Sequence, residues 1–116
     1  MKFAVNGVAG RMGRSVYRIM TEQGYSLFRG FDVEANPFFG KDAALLVGAT
    51  GGTPVCALDA ANLRGADAVI DFTAPAVTMQ LLGVAVEARV PVVVGTTGID
   101  AAGRDAIREA ARHIPV

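Results

Sequence analysis

Cys56 is the only cysteine and His113 the only histidine among 116 residues. One cysteine excludes an internal disulfide and fits a reducing cytoplasm. With no obvious basic partner, Cys56 reads as a small core residue rather than a nucleophile. No His/Cys/Asp/Glu cluster has metal-ligand spacing, so no metal is expected, and no Ser-His-acid set can be assembled. His113 sits near a predicted helix end and reads as structural. Net charge is missing too. Eleven basic and eleven acidic side chains cancel, which leaves no basic field to collect a nucleic acid or a membrane surface. No apolar run approaches the length of a membrane span. Asn6, Arg11 and Arg14 interrupt the first apolar stretch too early for a signal peptide. There is no internal repeat and no low-complexity linker.

What the chain does have is apolar bulk and glycine: 52% hydrophobic residues and 14 glycines. That suits one α/β domain whose sheet is covered on both faces. Residues 2–6 predict a strand and 11–22 a helix, with Met12, Val16, Ile19 and Met20 on one face and Gly24 closing it. A second strand is expected over 26–32, then a loop over 33–53 with one helical turn near 42–47. Short strand character returns at 54–56. Residues 68–72 and 90–94 read as buried strands. Between them Pro75 opens a helix whose apolar stripe is Val77, Leu81, Val84, Ala85 and Ala88. Asp100 caps a helix over 101–112. Ile114-Pro115-Val116 looks like a further strand beginning. This alternation predicts a doubly wound parallel sheet with right-handed crossovers.

The chemistry sits at strand ends. Gly7-Val8-Ala9-Gly10-Arg11-Met12-Gly13 links the first strand to the first helix. Glycines let backbone approach a pyrophosphate, and free N–H groups at the helix start face its charge. The spacing departs from G-x-G-x-x-G, and an ordinary glycine-rich turn is the competing reading. The dinucleotide reading expects Gly10's amide to face the phosphate hollow, with Asp32 on the same side. Asp32 ends the second strand, where a Rossmann-type dinucleotide-binding fold places an acid for the adenosine ribose; a solvated turn aspartate is the alternative. A carboxylate there, followed by uncharged Val33, favours NADH. Arg11, and less so Arg29, can attract the extra phosphate of NADPH. Asp71-Phe72-Thr73-Ala74-Pro75 and Gly95-Thr96-Thr97-Gly98 end buried strands, so both should line the same crevice. Thr96 and Thr97 suit a nicotinamide ribose or amide, and Phe72 suits packing on the ring or bridge. Asp71 reads as a loop-bracing carboxylate before a catalytic one.

Three of these segments, Val5 to Arg14, Val69 to Pro75 and Val94 to Gly98, resemble in order and spacing the amino-terminal half of the 4-hydroxy-tetrahydrodipicolinate reductase (dihydrodipicolinate reductase) family. The resemblance covers essentially the whole chain. It implies an oxidoreductase of the diaminopimelate and lysine route that reduces a cyclic unsaturated dicarboxylate with NADH or NADPH. It also implies that Gly7, Val8, Ala9, Gly10, Arg11 and Met12 hold the pyrophosphate and Asp32 the adenine ribose. Phe72, Gly95, Thr96 and Thr97 then stand at the nicotinamide end. Family members are more than twice as long. Their second domain carries the proton donor, the carboxylate clamp and the sheet through which they form homotetramers. By this comparison residues 1–116 are one NAD(P)-binding domain cut short at its carboxyl end. It has no catalytic residue of its own, and the dicarboxylate binds only with the missing domain. Other expectations compatible with the residues are the cofactor domain of a different two-domain NAD(P) dehydrogenase, or a non-catalytic nucleotide- or CoA-binding module.

Overall fold

Five strands, β1 (Phe3–Asn6), β2 (Leu27–Phe31), β3 (Val55–Cys56), β4 (Ala68–Asp71) and β5 (Val92–Val94), lie in one sheet in the order β3-β2-β1-β4-β5. Every pairing is parallel. The computed structural model describes all 116 residues. The helices are α1 (Arg11–Glu22), α2 (Ala60–Leu63), α3 (Pro75–Ala88) and α4 (Ala101–Ala110), with a 3₁₀ segment over Ala43–Val47. None is long and apolar enough to cross a membrane.

The central strand explains the apolar composition. Neighbouring β1 residues point to opposite faces, and Ala4 and Val5 are both fully buried. Ala4 joins a core with Phe31, Leu63, Val69, Leu81 and Ile114. Val5 joins another with Val8, Tyr17, Met20, Leu46 and Val55 beneath α1. Burial on both faces is what a parallel sheet between helices requires. The chain winds outward through β2 and β3, then returns to β4 on the other side of β1. The switch point therefore lies between β1 and β4, and the register sets Asn6 between Phe31 and Asp71 at the carboxyl end of the sheet. Open α/β sheets bind ligands there.

Most expected elements stand where the pattern put them, and three details differ. On α1 the inward face is Gly13, Tyr17 and Met20, while Met12 and Ile19 are 50% and 58% exposed. Gly13 packs on the preceding turn and fixes the rotation of the helix. Residues 114–116 form no regular strand. Val92 donates to the Pro115 carbonyl at 3.0 Å, but Pro115 has no N–H with which to continue a ladder. The one-turn α2, capped by Asp59 accepting from the Asn62 amide at 2.7 Å, was not foreseen.

Asp42 folds the long β2–β3 connection. Its carboxylate accepts from the amides of Ala44 at 2.9 Å and Gly51 at 2.8 Å, and Gly52 adds a third bond at 3.0 Å. These bonds, Ala44's foremost, hold its carboxyl below the ordinary carboxylate range against a smaller opposing effect of desolvation. A depressed folded-state value stabilises above the unfolded value of about 4, and that stabilisation is lost as pH falls through the folded value. Wild-type Tm should therefore exceed that of Asp42→Asn at neutral pH, with the gap closing below about pH 4. Thermal melts of both proteins from pH 7 to pH 3 check this; a gap independent of pH contradicts it.

Candidate functional site: a cleft at the switch point

The turn after β1 is tied down by its own backbone. Gly7 takes φ +77, and the Gly7 and Val8 amides both donate to the Phe31 carbonyl, at 2.8 and 3.1 Å. The Ala9 amide donates to Asp32 Oδ2 at 3.0 Å. Gly10's amide closes the turn onto the Gly7 carbonyl at 2.9 Å. The expectation that this amide faces the phosphate hollow is corrected here: the bend is tight enough that its own carbonyl takes the donor. The free donors are one step further on. The amides of Arg11, Met12 and Gly13, the first of α1, have no protein acceptor, and neither a side-chain cap nor a first-turn acid competes for them. Three unpaired N–H groups at the positive end of a helix dipole are suited to an anion.

Two glycines are required by close contact. A Cβ on Gly13 would fall against the Gly7 carbonyl oxygen and within 2.8 Å of its carbon, so α1 sits directly on the turn. A Cβ on Gly7 would come within 2.8 Å of both the Phe72 carbonyl oxygen and Thr73 Cγ2. The glycine turn thus touches the loop after β4, as the switch-point geometry demands.

Asp32 stands on the same side of the sheet. Its Oδ1 accepts from the Val33 amide at 2.8 Å and its Oδ2 from Ala9. Each oxygen keeps a lone pair for a sugar hydroxyl. Asp32, Gly7, Gly10 and Phe72 line one cleft of about 440 Å³, walled further by Val33, Ala57, Leu58 and Val77. Glu34 and Gln80 also line it and were not foreseen. Glu34 was readable, two residues past Asp32; Ala57, Leu58 and Gln80 carried no signal in the sequence.

The other expected residues fall around this cleft. Val8 and Ala9 are buried behind the turn. Arg11 lines a neighbouring basic groove with Arg14 and Arg18. Gly95 packs on the Phe72 ring, where a Cβ would collide with the ring carbons. The Thr96 hydroxyl turns inward, donating to Asp71 Oδ2 at 3.1 Å and accepting from the Thr73 amide at 2.9 Å. The Thr96 and Thr97 backbone amides have no protein acceptor, so this loop offers main chain before side chain. Asp71 braces loops, as expected. Cys56 does not line the cleft; its thiol is 3.7 Å from the Gly30 carbonyl and its pKa is pushed up by burial. His113 lies on α4's far end beside Glu109.

A parallel sheet with its switch point under a glycine turn, a helix start with free amides and an acid just past β2 define a Rossmann-like domain of the dehydrogenase type. Solved structures agree on the fold. The dipicolinate-bound dihydrodipicolinate reductase from Paenisporosarcina sp. TG-14 superposes with TM-score 0.65 at 19% identity over 97% of this chain and 42% of that one. The WlbA dehydrogenase from Thermus thermophilus, solved with NAD and UDP-GlcNAcA, gives TM-score 0.71 at 15% identity over 97% of this chain and 38% of that one. The family model for the dihydrodipicolinate reductase N-terminus matches residues 1–116, and the chain belongs to that family. The 4-hydroxy-tetrahydrodipicolinate reductases of Cupriavidus pinatubonensis and Rhizobium meliloti are each 43% identical across all of this chain. The chain spans 44% and 43% of those two proteins.

Proposed function

We propose that this chain is the cofactor-binding half of a cytoplasmic reductase that uses NADH or NADPH to reduce 4-hydroxy-tetrahydrodipicolinate to tetrahydrodipicolinate. One observation carries the reading: the Gly7–Gly10 turn, the Asp32 carboxylate and an apolar-walled cleft lie at the β1/β4 switch point, and α1, whose first three amides have no protein acceptor, begins directly after Gly10. That donor set fits a dinucleotide. The helix start holds the pyrophosphate, and Asp32 holds the adenosine ribose. Val33, Ala57 and Leu58 receive the adenine, while Phe72, Thr73 and the amides of Thr96 and Thr97 receive the nicotinamide end. When bound, the nicotinamide supplies the hydride. The chain's own task is to fix that ring against the sheet and exclude water behind it.

Asp32 and Glu34 place two carboxylates where a 2′-phosphate would sit, which favours NADH. Arg11 and Arg14 keep NADPH within reach. Hydride transfer also needs substrate in near-attack geometry and a placed proton donor. The chain spans 44% of the Cupriavidus pinatubonensis relative, and on this reading the remaining part of such a protein supplies both, together with the contacts of a homotetramer.

Calorimetric titration of the 116-residue chain with NADH, NADPH and CoA tests this. NADH should bind more tightly than NADPH, with no heat from CoA. A steady-state assay with the dicarboxylate should give little or no turnover. Tighter binding of CoA than of either dinucleotide would overturn the dehydrogenase reading in favour of a CoA module.

A further inference from the structure

Asp71 is fully buried at the end of β4, and no cation meets it. It shares a sheet face with Val69, two residues earlier, which is an aliphatic core residue. Burying a carboxylate where an aliphatic side chain would pack is unfavourable unless every lone pair is engaged. Here four donors engage it. Asn6 Nδ2 at 3.0 Å and Thr73 Oγ1 at 2.9 Å donate to Oδ1. Thr78 Oγ1 at 2.6 Å and Thr96 Oγ1 at 3.1 Å donate to Oδ2. They come from four segments: the end of β1, the loop after β4, the first turn of α3 and the loop after β5. The Asp71 carbonyl also accepts from the Gly95 amide at 2.8 Å.

We propose that Asp71 is a positioning residue: its carboxylate fixes the two strand-end loops, after β4 and after β5, that form the nicotinamide side of the cleft. It touches no ligand itself. Phe72 and Thr73, which line the cleft, are held from beneath, and the glycine turn rests against them through Gly7. The adenosine side is held separately, by the Ala9–Asp32 bond and the Phe31 carbonyl. Loss of the Asp71 carboxylate should therefore act on one end of the cleft and spare the other. The inference rests on the dinucleotide reading for the ligand, and on geometry alone for the loops.

The test is Asp71→Asn in the 116-residue chain. The amide keeps the shape but turns one acceptor into a donor, stranding hydroxyls that have no other carboxylate. Thr78→Val, which removes one donor at nearly constant shape, is the milder second variant should Asp71→Asn fail to fold. NADH affinity should fall about tenfold in Asp71→Asn, with a smaller loss of the same kind in Thr78→Val. Affinity for ADP, which lacks the nicotinamide end, should stay within about twofold. Amide hydrogen exchange without nucleotide should quicken at Thr73 and Gly95 and stay unchanged at Ala9 and Gly10. Equal losses for NADH and ADP, or exchange that rises uniformly or not at all, would overturn the proposal. If the wild-type chain binds neither nucleotide, the dinucleotide reading falls, and the exchange pattern alone decides for or against Asp71.

Discussion

Gly13→Ala should destabilise the chain by about 2 kcal/mol, whereas Gly83→Ala should stabilise it by about 0.5–1 kcal/mol. Both glycines lie inside helices, where alanine is intrinsically better by about 1 kcal/mol. Only the surroundings differ. A Cβ on Gly83 meets nothing within 4 Å, on the exposed face of α3. A Cβ on Gly13 meets only backbone, the Gly7 carbonyl and Val8 Cα at 2.9 Å, and backbone cannot swing aside. Relief requires α1 to lift from the turn, which also moves the Arg11, Met12 and Gly13 amides out of position. Gly13→Ala should therefore lose NADH affinity as well as stability, and Gly83→Ala should lose neither. Urea unfolding of both variants beside wild type measures the signs. Equal stabilisation by the two alanines would mean that α1 is not seated on the glycine turn.

Asp32→Asn should weaken NADH binding by about tenfold and reduce the preference over NADPH by at least as much. Asparagine can still accept the Ala9 N–H through its amide oxygen, so the turn stays tied to β2. What changes is charge. The carboxylate is a stronger acceptor for ribose hydroxyls than an amide, and it repels a 2′-phosphate that Arg11 and Arg14 attract. The two nucleotides therefore respond unequally, NADPH holding level or gaining. Competitive calorimetry with both on wild type and variant reads the ratio. Equal weakening of NADH and NADPH would mean that the Asp32 charge plays no part in choosing between them.

The amino acids announced the fold through period and punctuation. Phe3-Ala4-Val5, the glycines and Gly24 marked the first strand, turn and helix, and Pro75 and Asp100 marked two more helix starts. The rotation of α1 was not legible. Met12 and Ile19 are apolar and on period, yet the contact of Gly13 with the turn turns them to solvent, a tertiary fact that local spacing does not carry. The single turn of α2 is too short to show a period. At the site, Asp32 and the glycine turn were readable because chain order alone brings them together. Which amides are free was not, since Gly10's donor is taken by a carbonyl three residues back. The four partners of Asp71 lie as far as 65 residues away in sequence, so only the parallel register brings them to one carboxylate.

The central claim is that the start of α1, not the glycine turn itself, grips the pyrophosphate. An ¹⁵N-resolved NMR titration of the chain with NADH tests it most directly. The largest shifts are expected at the Arg11, Met12 and Gly13 amides, with the Gly10 amide moving little. Shifts centred on Gly7 to Gly10 with α1 silent would contradict it.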